Sequence, residues 1–214
     1  MNNSEFEKTI QYTFKDKNLL NKALTHSSFS REHSASSKDN NERLEFLGDA
    51  FFDAVISVKL YRRLEKVDEG RLTKTRALIV CEKSLAEVAK RLRIGEHLNM
   101  GRGEELSGGR NRESILADAV EAVIGAIYLD GGYEEVYRFV CREFRKTVED
   151  GLAGRLFADY KPQVQEVLQK RGRKTCISYH LDREEGPDHD KTFYVHLVCN
   201  GRALGNGCGK SKKE

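Results

Sequence analysis

Apolar residues in the first 150 positions recur at helical spacing, and the spacing changes to strict alternation near the end of the chain. Residues 4–26 read as helical with a break near residues 13–15, where Asp16 caps a helix carrying Leu19, Leu20, Ala23 and Leu24. Residues 30–40 are polar and Ser-rich, the composition of a loop. Asp39, with Glu42 three residues on, is spaced as a capping box for a helix running to about Leu64. Asp68-Glu69-Gly70 opens the next helical stretch. Leu72, Ala77, Leu78, Val80, Leu85, Val88, Ala89 and Leu92 continue it as one or two helices, with Ser84 as a break and Arg93 and Gly95 as its end. Residues 96–112 read as a loop. An apolar helix over 114–130 ends at Gly131-Gly132, and Val136, Phe139, Val140, Phe144 and Val148 form the inner face of an amphipathic helix over 133–148.

After a Gly-containing stretch at 149–158, Val164, Val167 and Leu168 give one more helix over 160–170, with Pro162 in its first turn. Ile177, Tyr179 and Leu181 then alternate with polar residues, as do Phe193, Val195, Leu197 and Cys199. Asn200-Gly201 is a hairpin signal leading to a third strand around 202–205. The expected architecture is an all-α domain over 1–150, a linker over 151–158 and a small α+β domain over 159–214.

Chemistry concentrates on two of these helices. Glu42, Glu45, Asp49 and Asp53 stand at i, i+3, i+7 and i+11, offsets that fall on one helical face. Arg43 apart, the positions between Glu42 and Asp53 are apolar or small, as in a core helix. Like charges at i,i+4 destabilise even an exposed helix by about 0.2–0.5 kcal/mol per pair, and more when desolvated. A divalent cation is the simplest partner for such a row. In the second helix Asp118 and Glu121, at i and i+3, are the only charges between Glu113 and Asp130. Two apolar helices that each carry clustered carboxylates can pack and aim four or more oxygens at one spot, a Mg²⁺ site built in a helical core. The alternative for each acid is a solvated surface charge. Gly101-Arg102-Gly103 is a poor nucleotide-binding fingerprint, because no strand precedes it. Arg102, Arg110, Asn111 and Arg112 are placed to meet phosphates or to position the following helix. His26, alone in LTHSSF, reads as a polar cap rather than an acid or base.

The run NERLEFLGDA at 41–50 resembles the ribonuclease III signature over all ten residues. GRGEELSGGR at 101–110 and ESILADAVEAVIGAIYLDGG at 113–132 resemble two later blocks of the same family, in the same order, and the C-terminal part resembles a double-stranded-RNA-binding domain. The resemblance covers essentially the whole chain. It implies a bacterial-type enzyme: a Mg²⁺-dependent endoribonuclease, with Mn²⁺ as a possible substitute, that cuts double-stranded RNA. The products would carry 5′-phosphate and 3′-hydroxyl ends with short 3′ overhangs, made while processing ribosomal and other RNA precursors. It implies Glu45, Asp118 and Glu121 as metal ligands, Asp49 and Glu121 as catalytic residues, and Glu42 and Glu69 in support. A symmetric homodimer follows from the resemblance as well, with Phe46 as a contact between subunits. In the small domain it points to Gln163, Gln165 and His189, and to Lys210, Lys212 and Lys213, as RNA contacts. That family domain closes with a second helix opening at the Lys-rich motif. This chain stops there, at Glu214, so the expected domain is α-β-β-β-α with its last helix missing, a C-terminal truncation.

Composition adds three points. Of the 37 Lys and Arg and 34 Asp and Glu, residues 156–214 hold 11 and 8, so the net +3 lies in the small domain and residues 1–155 balance to zero. A modest basic excess in an appended module fits a polyanion partner. Five cysteines without a CxxC pair read as free thiols in a reducing compartment, not as a zinc site. No membrane-length apolar run or signal peptide is present, so a cytoplasmic protein with no membrane partner is expected. Two other functions compete. A double-stranded-RNA-binding or chaperoning protein on a degenerate nuclease fold would not need its carboxylates, yet all four and Glu42 are here. A helical Mg²⁺-dependent nucleotide pyrophosphohydrolase would leave the C-terminal module and the 101–110 block without a role.

Overall fold

Two glycines set the centre of the fold. A computed structural model of the chain describes residues 3–33, 39–156, 176–187 and 191–209, which fall in two units, Met1–Phe157 and Ala158–Glu214. In the first, helices α1 (Asn3–Ile10), α2 (Lys17–Ala23), α3 (Ser27–Glu32) and α4 (Glu42–Arg63) lead to α5 (Glu69–Ile79) and α6 (Glu82–Arg91). Short helices α7 (Ile94–His97) and α8 (Arg102–Leu106) and a 3₁₀ turn (Gly109–Asn111) precede α9 (Glu113–Gly131), α10 (Tyr133–Glu143) and α11 (Arg145–Leu152). α9 is the hub: every residue from Ile115 to Ile127 is buried except Asp118 and Glu121. α4 crosses it so closely that a Cβ on Gly48 would lie 1.8 Å from the Glu121 carbonyl oxygen, and one on Gly125 would lie 2.2 Å from that of Leu44. The two backbones are in direct contact there, which only glycine permits.

The rest of the domain wraps this crossing. Phe52 of α4 packs on Phe144 with ring centroids 4.5 Å apart, and Val136, Phe139 and Val140 of α10 are buried beside them. The N-terminal segment is tied to the end of α9 by Asp130, whose carboxylate accepts from the Tyr12 hydroxyl (2.7 Å) and from the backbone N–H groups of Lys15 (3.0 Å) and Asp16 (2.8 Å). Buried Glu143 takes Arg91 at 2.7 Å and Arg142 at 2.6 Å, so its charge is paired twice.

Several local expectations hold and several shift. Asp16 caps α2 through Asn18 N–H (2.9 Å), Asp68 caps α5 through Arg71 N–H (2.8 Å), and α4 ends at Leu64. At the start of α4, however, Asn40 and not Asp39 supplies the side-chain acceptor, 3.2 Å from Glu42 N–H, and Asn41 is the N-cap residue. The break between α5 and α6 falls at Val80-Cys81. Ser84 sits buried inside α6 and donates its hydroxyl back to the Leu78 carbonyl (3.1 Å), which hides the break from a propensity argument. The 133–148 stretch divides at Phe144 into α10 and α11, and α11 continues through Gly151, which is buried against Ile79. α4 is not enclosed as a core helix: Glu42, Arg43, Phe46, Asp49, Ala50 and Ala54 are all exposed. No described helix is long and apolar enough to cross a membrane.

The second unit holds strands β1 (Ile177–Glu185), β2 (Thr192–Cys199) and β3 (Arg202–Gly209) in one antiparallel sheet of order β1-β2-β3. Asn200 and Gly201 turn β2 into β3 with φ of 50° and 80°, the positive values that a type I′ turn needs. β3 runs to Gly209, beyond the short strand expected. The helix expected over 160–170, and with it Gln163 and Gln165, lies outside the described residues, as do His189, Lys210, Lys212 and Lys213.

Candidate metal centre

The crossing at Gly48 and Gly125 delivers carboxylates from both helices to one place. Glu45 of α4 and Asp118 and Glu121 of α9 each offer an oxygen, and the three oxygens lie within 4.8 Å of one another. All three side chains are half-buried, and none has an ion-pair partner among the described residues. Asp49 stands one turn along α4 from Glu45 and is exposed, as is Glu42, one turn before. The site is therefore a shallow acidic cluster at the surface end of the crossing rather than an enclosed one.

Its electrostatics are those of charges without a counter-ion. Burial, then Asp49, Glu45, Asp118 and Asp53, push the Glu121 carboxyl up to about 8. Glu45 is raised by burial, then by Asp118, Glu42 and Asp49. Asp118 is raised by burial and by Glu82, the first residue of α6, which adds a carboxylate from a third helix. Asp53 is raised by burial and by Asp49, against the opposing pull of Arg76. Oxygen-only donors, converging and unneutralised, match a hard divalent cation such as Mg²⁺ and not zinc or copper. The residues present thus fit the ion.

The sign of the pH dependence follows. Between about pH 4.5 and 8 the folded Glu121 keeps a proton that the unfolded chain has lost, so metal-free stability falls as pH rises through that window. A cation must displace that proton, so Mg²⁺ should raise the melting temperature more at about pH 8.5 than at about pH 6, relative to EDTA. Glu121→Gln should flatten the EDTA series. Equal Mg²⁺ shifts at both pH values would count against a cation at this cluster.

Other expected residues fall elsewhere. Glu69, exposed at the start of α5, accepts from the Thr73 hydroxyl at 2.7 Å and is not part of the three-carboxylate group. Phe46, beside Glu45, leaves 80% of its surface exposed. His26 is the N-cap of α3, its Nδ1 accepting from Ser28 N–H at 3.3 Å, and burial holds its pKa low. Arg110 donates to the Gly95 and Leu98 carbonyls at 2.9 and 2.8 Å, and Arg112 pairs with Glu104 at 2.6 Å, so the two arginines fasten the 101–110 block to the residues on either side of it. Glu82, Gly125 and the Asp53–Arg76 pair were not anticipated. Nothing in one sequence places Glu82 beside Asp118 or says that Gly48 and Gly125 meet.

The comparisons agree with this geometry. The family model described as "Ribonuclease-III-like" matches residues 16–148, and the "Double-stranded RNA binding motif" model matches 160–214. Ribonuclease 3 of Caldanaerobacter subterraneus subsp. tengcongensis is 50% identical over 208 residues, covering 97% of this chain and 90% of that one. Ribonuclease 3 of Clostridium acetobutylicum is 44% identical over 210 residues, covering 98% and 90%. A solved nuclease domain of ribonuclease III from Campylobacter jejuni, described for flexibility in a region involved in dimer formation, superposes with a TM-score of 0.64 at 46% identity, over 68% of this chain and 98% of that one. With a helical nuclease-type domain, a sheet-bearing RNA-binding motif and near-full-length relatives, the chain belongs to the ribonuclease III family.

Proposed function

We propose that the protein is a Mg²⁺-dependent endoribonuclease that cleaves double-stranded RNA. The observation that carries this is the convergence of Glu45, Asp118 and Glu121 within 4.8 Å, in a chain that also matches a double-stranded RNA binding motif. Glu45, Asp118 and Glu121 hold the ion. Bound there, a divalent cation would polarise the scissile phosphate and activate a water for in-line attack. Asp49, exposed one turn from Glu45, faces the substrate and orients the attacking water, while Glu121, the most buried of the set, fixes the geometry from below. Glu42 and Glu69 supply negative potential around the set. The products carry 5′-phosphate and 3′-hydroxyl ends with short 3′ overhangs.

Two copies related by a twofold axis account for staggered cuts, with exposed Phe46 as the contact between them. Mn²⁺ can substitute for Mg²⁺. The nuclease domain spans 1–150 and is joined through 151–158 to the RNA-binding domain over 159–214. There Gln163, Gln165, His189, Lys210, Lys212 and Lys213 meet the duplex. A cytoplasmic role in maturing ribosomal and other RNA precursors completes the proposal.

The test is cleavage of labelled duplex RNA beside single-stranded RNA and duplex DNA, in Mg²⁺ and in EDTA, with sedimentation of the protein in parallel. Duplex-only cutting that requires Mg²⁺, by a particle of twice the chain mass, is expected. Equal cutting of single strands, or full activity in EDTA, would overturn it.

A further inference from the structure

The sheet of the second unit carries a cluster of nitrogen ligands that the carboxylate site does not use. The apolar pairs Tyr179–Leu197 and Leu181–Val195 share one face of the sheet. On the other face His180 of β1 stands directly across from His196 of β2, and His196 directly across from Asn206 of β3. The two imidazole rings are stacked, with centroids 5.2 Å apart and planes 18° from parallel. A bulge interrupts β1 between Leu181 and Arg183, so Asp182 has no partner residue on β2. Its carboxylate meets the neighbouring imidazole instead, with Oδ1 2.5 Å from His196 Nδ1. On the other ring, His180 Nε2 lies 2.9 Å from the Ser178 hydroxyl. Bulges take a side chain out of strict alternation and re-aim it. Here the re-aimed side chain is an anion, and its target is one of the paired histidines.

Each of these contacts selects a tautomer. The Asp182 carboxylate only accepts, so a neutral His196 carries its proton on Nδ1 and its lone pair on Nε2. With Nε2–H donated to Ser178, His180 carries its lone pair on Nδ1. Neither of those two nitrogens has a hydrogen-bond partner among the described residues. An imidazole with one nitrogen tied to an oxygen and the other free is arranged as a metal ligand. Two Zn–N bonds of about 2.0–2.1 Å at a tetrahedral angle need nitrogens roughly 3.3 Å apart. Directly opposed residues on antiparallel strands have Cβ atoms about 4.5–5.5 Å apart, within reach of that spacing. His180 is exposed and the His196 side chain is 35% exposed, so rotation of the side chains brings the nitrogens together without moving the backbone.

We infer that this face of the sheet binds a borderline transition-metal cation of the Zn²⁺ type. His180 and His196 are its ligands, and the Asn206 amide oxygen and water complete the shell. Asp182 is a positioning residue: it holds the His196 ring in the ligating tautomer. The bound ion clasps β1 to β2 and stabilises the folded sheet in proportion to free Zn²⁺. The site is chemically separate from Glu45, Asp118 and Glu121. Imidazole nitrogens suit zinc, copper or nickel and an all-oxygen cluster suits Mg²⁺, so each site selects its own ion.

The test is zinc binding by the full chain in excess Mg²⁺, read by equilibrium dialysis and by the imidazole nitrogen resonances. Cys176→Ser and Cys208→Ser are present in every sample, to remove the thiols exposed on this unit. One Zn²⁺ per chain is expected that His180→Ala and His196→Ala each remove. The His180 and His196 resonances should shift together on zinc addition while those of His26 and His97 stay in place. Asp182→Asn should weaken this zinc by about 10–100-fold, and Glu121→Gln should leave it unchanged. His180 is exposed, so His180→Ala should keep the far-ultraviolet spectrum and the Mg²⁺-dependent activity of the parent. Zinc taken up equally by the parent and both histidine variants would overturn the site and place the ion on carboxylates. A parent that takes up no zinc in Mg²⁺ would overturn it as well. Binding by Asp182→Asn equal to the parent's would remove the positioning role.

Discussion

Glu121→Gln should abolish cleavage while making the metal-free protein more stable. The two effects have one cause. Glu121 is the most desolvated member of the carboxylate set, and Asp49, Glu45, Asp118 and Asp53 all add to the burden on its charge, so its carboxyl is held up to about 8. Glutamine keeps the size and one oxygen but removes the charge. In EDTA at about pH 8 the repulsion is relieved, and the melting temperature should rise. In Mg²⁺ the site has lost a third of its anionic ligands, and a cation worth several kcal/mol to the transition state is bound weakly or in the wrong place. Cutting should fall by at least roughly 10²–10³-fold. Duplex binding through the C-terminal motif should survive. Cleavage within tenfold of the parent would show that the acid cluster is not where the bond is cut. A variant that lost both cutting and stability would instead mark Glu121 as a packing residue. Gain of stability with loss of activity is the pattern expected where a chain tolerates local repulsion for the sake of chemistry.

Gly48→Ala should be the most damaging small substitution in the nuclease domain. Two terms oppose each other. Alanine is about 1 kcal/mol better than glycine inside a helix. Its Cβ, however, would stand 1.8 Å from the Glu121 carbonyl oxygen, 2.6 Å from the carbonyl carbon and 2.9 Å from Gly125 N, all backbone atoms that cannot swing aside. The helices must separate, and overpacking of this kind destabilises by about 1–3 kcal/mol even where side chains can give. A net loss near the upper end corresponds to a melting temperature lower by roughly 6–12 °C for a chain of this size. Separation also draws Glu45 away from Asp118 and Glu121, so Mg²⁺ protection should shrink by tenfold or more in apparent affinity. Gly125→Ala, with its Cβ 2.2 Å from the Leu44 carbonyl oxygen, should act alike. The two substitutions combined should cost less than the sum, since the first has already parted the helices. A Gly48→Ala protein that melts with the parent would mean that the crossing does not set the site.

Local patterns carried much of this fold. The acids at 42, 45, 49 and 53 and the pair at 118 and 121 are visible because helix periodicity maps sequence offset onto a face. The caps at Asp16 and Asp68 and the Asn200-Gly201 turn are equally local. What stayed hidden depends on partners far along the chain. That Gly48 and Gly125 touch, that Glu82 leans on Asp118, and that Arg76 answers Asp53 are facts about pairs of helices. The exposed face of α4 was misjudged for the same reason: apolar and small residues at helical spacing look like core until the neighbouring helix fails to cover them. Ser84 misled in the opposite direction. Its hydroxyl closes the turn between α5 and α6 from inside α6, so a residue disfavoured in helices sits in one.

The backbone contact between α4 and α9 also bears on how such a protein can change over time. Where helices are spaced by interlocking side chains, each core substitution shifts the axis and drags any attached functional group with it. Here the spacing at the crossing is set by main chain against main chain, which does not mutate. Residues flanking the crossing, such as Leu44, Val120 and Ile124, can therefore drift among apolar types of similar volume while the carboxylates keep their separation. A library that randomises those positions to apolar residues, with both glycines held, should retain metal binding in a large share of its folded members. The same library with one glycine freed should retain it in few.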